Sequence, residues 1–114
     1  MLIILNDPPY GTERSYNGLR LALSLQKHET KPPVTVFLMA DAVACARKGQ
    51  KTPDGYYNIE RMLKGVMARG RVLLCGSCMD ARGLTEDDIV AGCERSTMEE
   101  LTQLTVDSEK VLVF

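Results

Sequence analysis

Two observations predict a parallel α/β domain with helices on both faces of its sheet. The strand-like runs are apolar throughout rather than alternating, which suits strands covered on both sides. They also take turns along the chain with helical segments, the pattern of parallel strands joined by crossovers. A length of 114 residues is that of a single domain, 1–114. At this size folding hides about two-thirds of the surface of the unfolded chain, so a core forms without disulfides or metal.

The elements follow in order. Leu2-Ile3-Ile4-Leu5 is the first strand. Asn6 to Gly11, with two prolines, is a turn, and Thr12 or Ser15 is positioned to cap the next helix. Leu19, Ala22, Leu23 and Leu25 give that helix a broad apolar face to about His28, and Lys31-Pro32-Pro33 closes the connection. Val34 to Met39 is a second buried strand. Asp41 to Arg47 forms one or two helical turns. Gly49 to Tyr57, rich in Gly, Pro and Asp and without periodicity, is a loop. Asn58 caps an amphipathic helix with Ile59, Met62, Leu63, Val66 and Met67 on one face, and Gly70 is its stop. Arg71 to Cys75 is a third strand, and Gly76 to Gly83 a loop or short turn. Thr85 with Asp88 caps a short helix through about Ala91. Ser96 and Glu99 match a capping box that opens a helix over Met98, Leu101 and Leu104. Val111 to Phe114 closes the chain as a strand.

Composition excludes several classes of function. Fourteen Lys and Arg against fifteen Asp and Glu give a net charge of -1, which lacks the basic footprint of a dedicated nucleic-acid binder. No apolar run approaches the roughly 20 residues that span a bilayer. Met1 to Leu5 lacks a basic region and breaks at Asn6-Asp7-Pro8-Pro9, too early for a secretory signal. A cytoplasmic location is therefore expected, where thiols stay reduced.

Four cysteines carry the chemical interest: Cys45, Cys75, Cys78 and Cys93. Cys45 and Cys93 read as small packing residues. Only Cys75-Gly76-Ser77-Cys78 has an informative spacing. A sulfur nucleophile must be a thiolate, and at a pKa near 8.5 only about 3% is ionised at pH 7. Lowering that pKa by about 1.5 units gives about half thiolate and corresponds to about 2 kcal/mol. Loop N–H groups, a helix N-terminus and Arg82 are the groups at hand to supply it. Other readings stand beside this one. Cys75 can be core and Cys78 a tolerated loop residue. A thioredoxin-like redox pair opens a long helix, whereas Gly76 and Gly83 predict a loop. Half a zinc site needs two more ligands, and Cys45, Cys93 and His28 show no second paired spacing, so no metal is expected.

The remaining motifs are weaker. Asn6 to Thr12 is a poor phosphate cradle, with one Gly, two prolines and no Gly-Lys-Ser/Thr ending, though an anion or partner contact is compatible with it. Arg47, Lys48 and Lys51 read as a solvated stretch. A single histidine gives imidazole catalysis little support, and Glu86-Asp87-Asp88 is helix-start charge. In a parallel sheet ligands sit outside the carboxyl ends of the strands. That rule gathers Asn6 to Thr12, Ala40 and Asp41, and Cys75 to Gly83 along one edge.

These residues also resemble a known family. Pro9-Tyr10-Gly11-Thr12, Phe37-Leu38-Met39-Ala40-Asp41-Ala42-Val43, and Gly55-Tyr56-Tyr57-Asn58-Ile59 are similar to segments of the DsrE/DsrF-like sulfur-relay family. Cys75-Gly76-Ser77-Cys78-Met79-Asp80-Ala81-Arg82-Gly83 and Ser96-Thr97-Met98-Glu99-Glu100-Leu101 extend the likeness, especially to its YchN-like branch. The resemblance implies a three-layer α/β/α domain of about five parallel strands, the additional short one near Gly92 to Arg95. It further implies a homo-oligomer, trimeric or hexameric, with protein sulfur donors and acceptors and no cofactor. By position from Arg82-Gly83, Cys75 corresponds to the family's persulfide-bearing cysteine. Cys78 is the extra cysteine of the YchN-like branch, placed to resolve the persulfide as a Cys75–Cys78 disulfide. Arg82, Gly76 and Gly83 would hold the sulfur anion, and Tyr10, Gly11, Thr12 and Asp41 would form the cleft wall. The competing reading is a homo-oligomeric binding or regulatory protein, taking a small molecule or anion, whose cysteines only pack.

Overall fold

The computed structural model describes residues 1–28 and 33–114. The strands are β1 (Leu2–Leu5), β2 (Thr35–Leu38), β3 (Arg71–Cys75), β4 (Glu94–Ser96) and β5 (Val111–Val113). The helices are α1 (Arg14–Leu25), α2 (Ile59–Met67), α3 (Gly76–Ala81) and α4 (Met98–Asp107). A 3₁₀ segment, Ala40–Ala46, follows β2, and single 3₁₀ turns occupy Pro53–Gly55 and Glu86–Asp88. Among the described residues no helix is long and apolar enough to cross a membrane.

All strand pairs are parallel, in the order β4-β3-β2-β1-β5. The central strands are the most deeply buried: Val36, Phe37, Leu38, Val72, Leu73 and Leu74 are closed to solvent. This is what their uninterrupted apolar sequence requires. From β1 to β4 the chain steps across the sheet in one direction, so right-handed crossovers put α1, α2 and α3 on one face. Helices α1 and α2 pack against each other there. The return from β4 to β5 runs the opposite way and carries α4 over the other face.

Several boundaries differ from the sequence reading, each for a local reason. Helix α1 opens at Arg14, and the side chain of the preceding Glu13 does not cap it. Both candidate caps donate to Asp7, Thr12 Oγ1 to its carboxylate at 2.9 Å and Ser15 Oγ to its carbonyl at 2.7 Å, and Thr12 Oγ1 also accepts from the Arg14 N–H at a long 3.4 Å. The segment Lys31-Pro32 lies outside the described residues. Asn58 does cap α2, accepting from the Arg61 N–H at 3.0 Å. Gly70, however, ends no helix by a left-handed turn. It stands where the Val34 carbonyl closes on the chain, and a Cβ there would collide with that oxygen.

The largest correction is the segment after β3. Gly76 to Gly83 is a helix and its stop, not a loop. Gly83 has φ +64° and follows the last helical turn, with its N–H on the Asp80 carbonyl at 3.1 Å. The Leu84 N–H reaches the Met79 carbonyl at 3.0 Å. This pair of bonds is a Schellman stop, and buried Leu84 and Met79 supply its apolar contact. Thr85 and Asp88 do form a reciprocal cap, but over one 3₁₀ turn. The extra strand runs over Glu94–Ser96, so the cap of α4 moves on one residue. Thr97 accepts from the Glu100 N–H at 3.2 Å, while Ser96 Oγ donates to the Glu100 carboxylate at 2.6 Å.

Because the obstacle at Gly70 is main chain rather than a movable side chain, Gly70→Ala is expected to lower stability by about 1–3 kcal/mol. Urea denaturation checks this, and an unchanged midpoint would refute the close-approach account of this glycine.

Candidate functional site

Strands β3 and β4 are neighbours whose outgoing connections leave on opposite faces of the sheet. Such a reversal parts the connecting segments and opens a crevice at the carboxyl edge. Cys75, the last residue of β3, is in register with Ser96, the last of β4. Between them lies a cavity of about 240 Å³ lined by Cys75, Gly76, Ser77, Arg95, Ser96, Thr97 and Met98. One wall is thus the start of α3 and the other the start of α4.

Cys75 is 7% exposed. Burial raises its pKa, but hydrogen bonding from the Cys78 thiol, the Ser77 hydroxyl and the N–H groups of Cys78 and Ser77 outweighs it. The net effect is a pKa below the ordinary thiol value. Ser77 Oγ lies 3.3 Å from the Cys75 sulfur. The other cysteines behave differently. Burial pushes Cys45 up to about 12, with Asp7 adding to the effect. Burial, reinforced by Glu94, does the same to Cys93. Cys45 is wholly buried, and Cys93 packs on the Met67 sulfur at 3.8 Å.

Two guanidinium groups stand near the cysteines. Arg95 bridges from β4 to both oxygens of Asp80 on α3, at 2.8 Å each. On the way its plane passes over Gly76, where a Cβ would sit 2.8 to 3.0 Å from three of its atoms. The missing side chain of Gly76 is what admits it. Arg82 instead turns toward β2: its Nε and Nη2 bind Asp41 at 2.9 and 2.8 Å, and its Nη1 donates to the Cys78 carbonyl at 3.0 Å. The Arg82 charge therefore acts on Cys78, and Arg95 is the cation facing Cys75.

Cys78 has its own surroundings. Ala40, just past β2, donates its backbone N–H to the Cys78 sulfur at 3.2 Å. Ala40 does so from a left-handed conformation, φ +48°, which a residue with a Cβ adopts at some cost. Burial and the adjoining Cys75 raise the Cys78 pKa, and Ala40 and Arg82 only partly offset them.

The family model described as "DsrE/DsrF-like family" matches residues 1–114. The chain belongs to the DsrE/DsrF-like family. It is 41% identical to "Protein YchN" of Escherichia coli (strain K12), an alignment covering 100% of this chain and 97% of that protein. It is 36% identical to "Uncharacterized protein MK0008" of Methanopyrus kandleri, over 98% of this chain and 91% of its relative. The crystal structure of the E. coli YchN protein superposes with a TM-score of 0.92, covering 99% of this chain and 97% of that one. A protein of unknown function from Methanobacterium thermoautotrophicum, MTH1491, shares the fold at 13% identity, with a TM-score of 0.74 over 99% and 96% of the two chains.

In this DsrE/DsrF-like chain the residues singled out from the sequence separate into two groups. Cys75, Gly76, Cys78, Asp41 and Arg82 gather at the carboxyl ends of β2 and β3, whereas Gly83 closes the far end of α3 and hydrogen-bonds to neither cysteine. Tyr10, Gly11 and Thr12 do not line the Cys75 cavity. Their turn follows β1, two strands away from β3, and the Tyr10 hydroxyl donates to Gln50 at 2.6 Å and accepts from the Ile59 N–H. Tyr10 also borders a cluster with Tyr16, Tyr56 and Tyr57. Arg95 is the residue that sequence reasoning missed. A three-residue strand with two charged side chains has no apolar signal. Among the described residues no three His, Cys, Asp or Glu side chains gather as metal ligands.

Since the Cys78 thiol helps hold the Cys75 sulfur as an anion, Cys78→Ala is expected to raise the Cys75 pKa. Thiolate absorbance followed against pH should then show the earliest ionisation moving to higher pH, and Cys75→Ala should abolish it. An unshifted titration in Cys78→Ala would sink this account of the pair.

Proposed function

We propose that the protein carries sulfane sulfur as a persulfide on Cys75. The observation that carries this reading is the contrast among thiols. Cys75 has a lowered pKa and opens on a cavity at the carboxyl edge of the sheet, whereas Cys45 and Cys93 are pushed up to about 12 in packed surroundings. A thiolate is the attacking form in sulfur exchange, and a low pKa also makes its sulfur a good leaving group. One residue is therefore suited to both halves of a transfer.

In the first half, the Cys75 thiolate attacks the terminal sulfur of a donor persulfide. A new sulfur–sulfur bond forms at Cys75, the donor's own sulfur–sulfur bond breaks, and its electron pair leaves on the donor as a thiolate. In the second half, an acceptor thiolate takes the outer sulfur and Cys75 departs as the thiolate. The exchange is redox-neutral and needs no cofactor. Arg95 over Gly76, with the N–H groups of Ser77 and Cys78, supplies positive potential to the sulfur in both states. Donor and acceptor are proteins in this reading, and the setting is a reducing, cytoplasmic one. Self-association into a trimer or hexamer belongs to the same proposal. Met98, Val106 and Val113 are 60%, 76% and 65% exposed, apolar side chains that a second copy would cover.

Incubation with a low-molecular-weight persulfide, followed by intact-mass measurement, tests the assignment. The wild-type chain is expected to gain the mass of one sulfur atom, and Cys75→Ser is expected to gain none. Equal gain in Cys75→Ser would refute Cys75 as the carrier.

A further inference from the structure

The two cysteines of the pair open in different directions. Cys75 faces the β4 side, where Arg95, Ser96, Thr97 and Met98 complete its cavity, and Cys78 is absent from that lining. Cys78 faces the β2 side, where its sulfur accepts from Ala40 and its carbonyl from Arg82, which is itself fastened to Asp41. The register explains the split. Leu38 pairs with Leu74 and Cys75 with Ser96, so β3 ends with one neighbour's exit on each side of it. Exposure differs in the same sense: Cys75 is buried, whereas Cys78 is half-buried. A donor persulfide on a projecting side chain can enter the cavity, but an acceptor thiol on a flatter protein surface meets Cys78 more readily than Cys75.

We propose that Cys78 is a second sulfur station, to which the Cys75 persulfide passes its outer sulfur before delivery from the Ala40–Asp41–Arg82 side. The proposal rests on the persulfide reading and deepens it, since it names the route by which sulfur leaves. In the step, the Cys78 thiolate attacks the outer sulfur of the protonated Cys75 persulfide. The sulfur–sulfur bond at Cys75 breaks, its electron pair returns to the Cys75 sulfur, and the outer sulfur with its proton becomes the Cys78 persulfide. Nothing is oxidised or reduced. The Ala40 N–H, held in place by a left-handed residue, and the Arg82 charge steady the sulfur on arrival. The chemistry of the two thiols runs the same way, because the more basic thiolate is the better nucleophile and the less basic one the better leaving group.

The test loads the full chain with glutathione persulfide, removes the donor, and follows the extra sulfur by alkylation and fragmentation of the tryptic peptide 72–82. Reduced glutathione and a folded thiol protein then serve as acceptors. In the wild-type chain the extra sulfur is expected first on Cys75 and then on Cys78. Preloaded Cys78→Ala and Cys78→Ser, checked for folding by circular dichroism, should keep sulfur on Cys75 and deliver it to the protein acceptor about ten-fold more slowly or worse. Sulfur that stays on Cys75 in the wild type, with delivery unimpaired in both variants, would overturn the second station while leaving the carrier reading intact. Build-up of a Cys75–Cys78 disulfide with released sulfide would overturn it too, because attack then falls on the inner sulfur. No uptake by the wild type would remove both readings.

Discussion

The parallel register that places Cys75 beside Ser96 is the constraint on which the rest of this site depends. It sets the ends of β3 and β4 level, so that the chain turns into α3 on one side of the sheet and α4 on the other. The gap between those departures is the cavity. A shift of one residue would turn the sulfur to the other face of the sheet, away from Ser77, Arg95 and Thr97 together. The uniformly apolar Val72, Leu73 and Leu74 suit either face, so the register is pinned by the polar ends of the strands, where Arg71 of β3 holds Glu94 of β4 at 3.0 Å. The strand thus governs the chemistry at its tip without taking part in it.

Four thiols in one small domain show how local partners, rather than burial alone, set the acidity of a thiol. Burial acts on all of them and raises each pKa. Only at Cys75 do donors accumulate enough to reverse the sign. Cys78 has the Ala40 N–H and the Arg82 charge but also a sulfur neighbour that competes for anionic character, and its pKa stays raised. The coupling is reciprocal: what Cys78 gives to Cys75 as a hydrogen-bond donor it forfeits as an anion. A pair arranged in this way gathers its anionic character on one member, Cys75.

Much of the architecture was legible in the residues because the strands of a doubly covered sheet must be apolar throughout. Leu2–Leu5 and Arg71–Cys75 lie where their sequences place them. Asn58 and its helix were readable for the same reason, a cap followed by an apolar face. The reading failed where a residue's purpose lay in another element. Gly76 and Gly83 looked like the breakers of a loop, yet one admits the Arg95 guanidinium and the other closes a short helix. Thr12 and Ser15 looked like caps, yet both donate to Asp7, and only Thr12 keeps a long bond to the helix start. Arg95 itself belongs to a strand of three residues, too short for any periodicity, and its meaning appears only once β4 is laid beside β3. Local signals survived folding, and the partnerships formed across the sheet were invisible before it.

The charges on β4 have an effect on the cavity mouth as well as inside it. As an edge strand of three residues with exposed Glu94 and Arg95, it offers little to an incoming strand. Arg71 holds Glu94 and Glu100 at 3.0 Å each, and Asp80 holds Arg95. Extending the sheet past β4 would strip water from those groups, and a short, charged edge resists such pairing. The opposite border differs, because Val113 on β5 is largely exposed and apolar. The two rims of the sheet thus differ in kind, one short and charged and the other open and apolar at Val113, and the Cys75 sulfur lies beside the charged one.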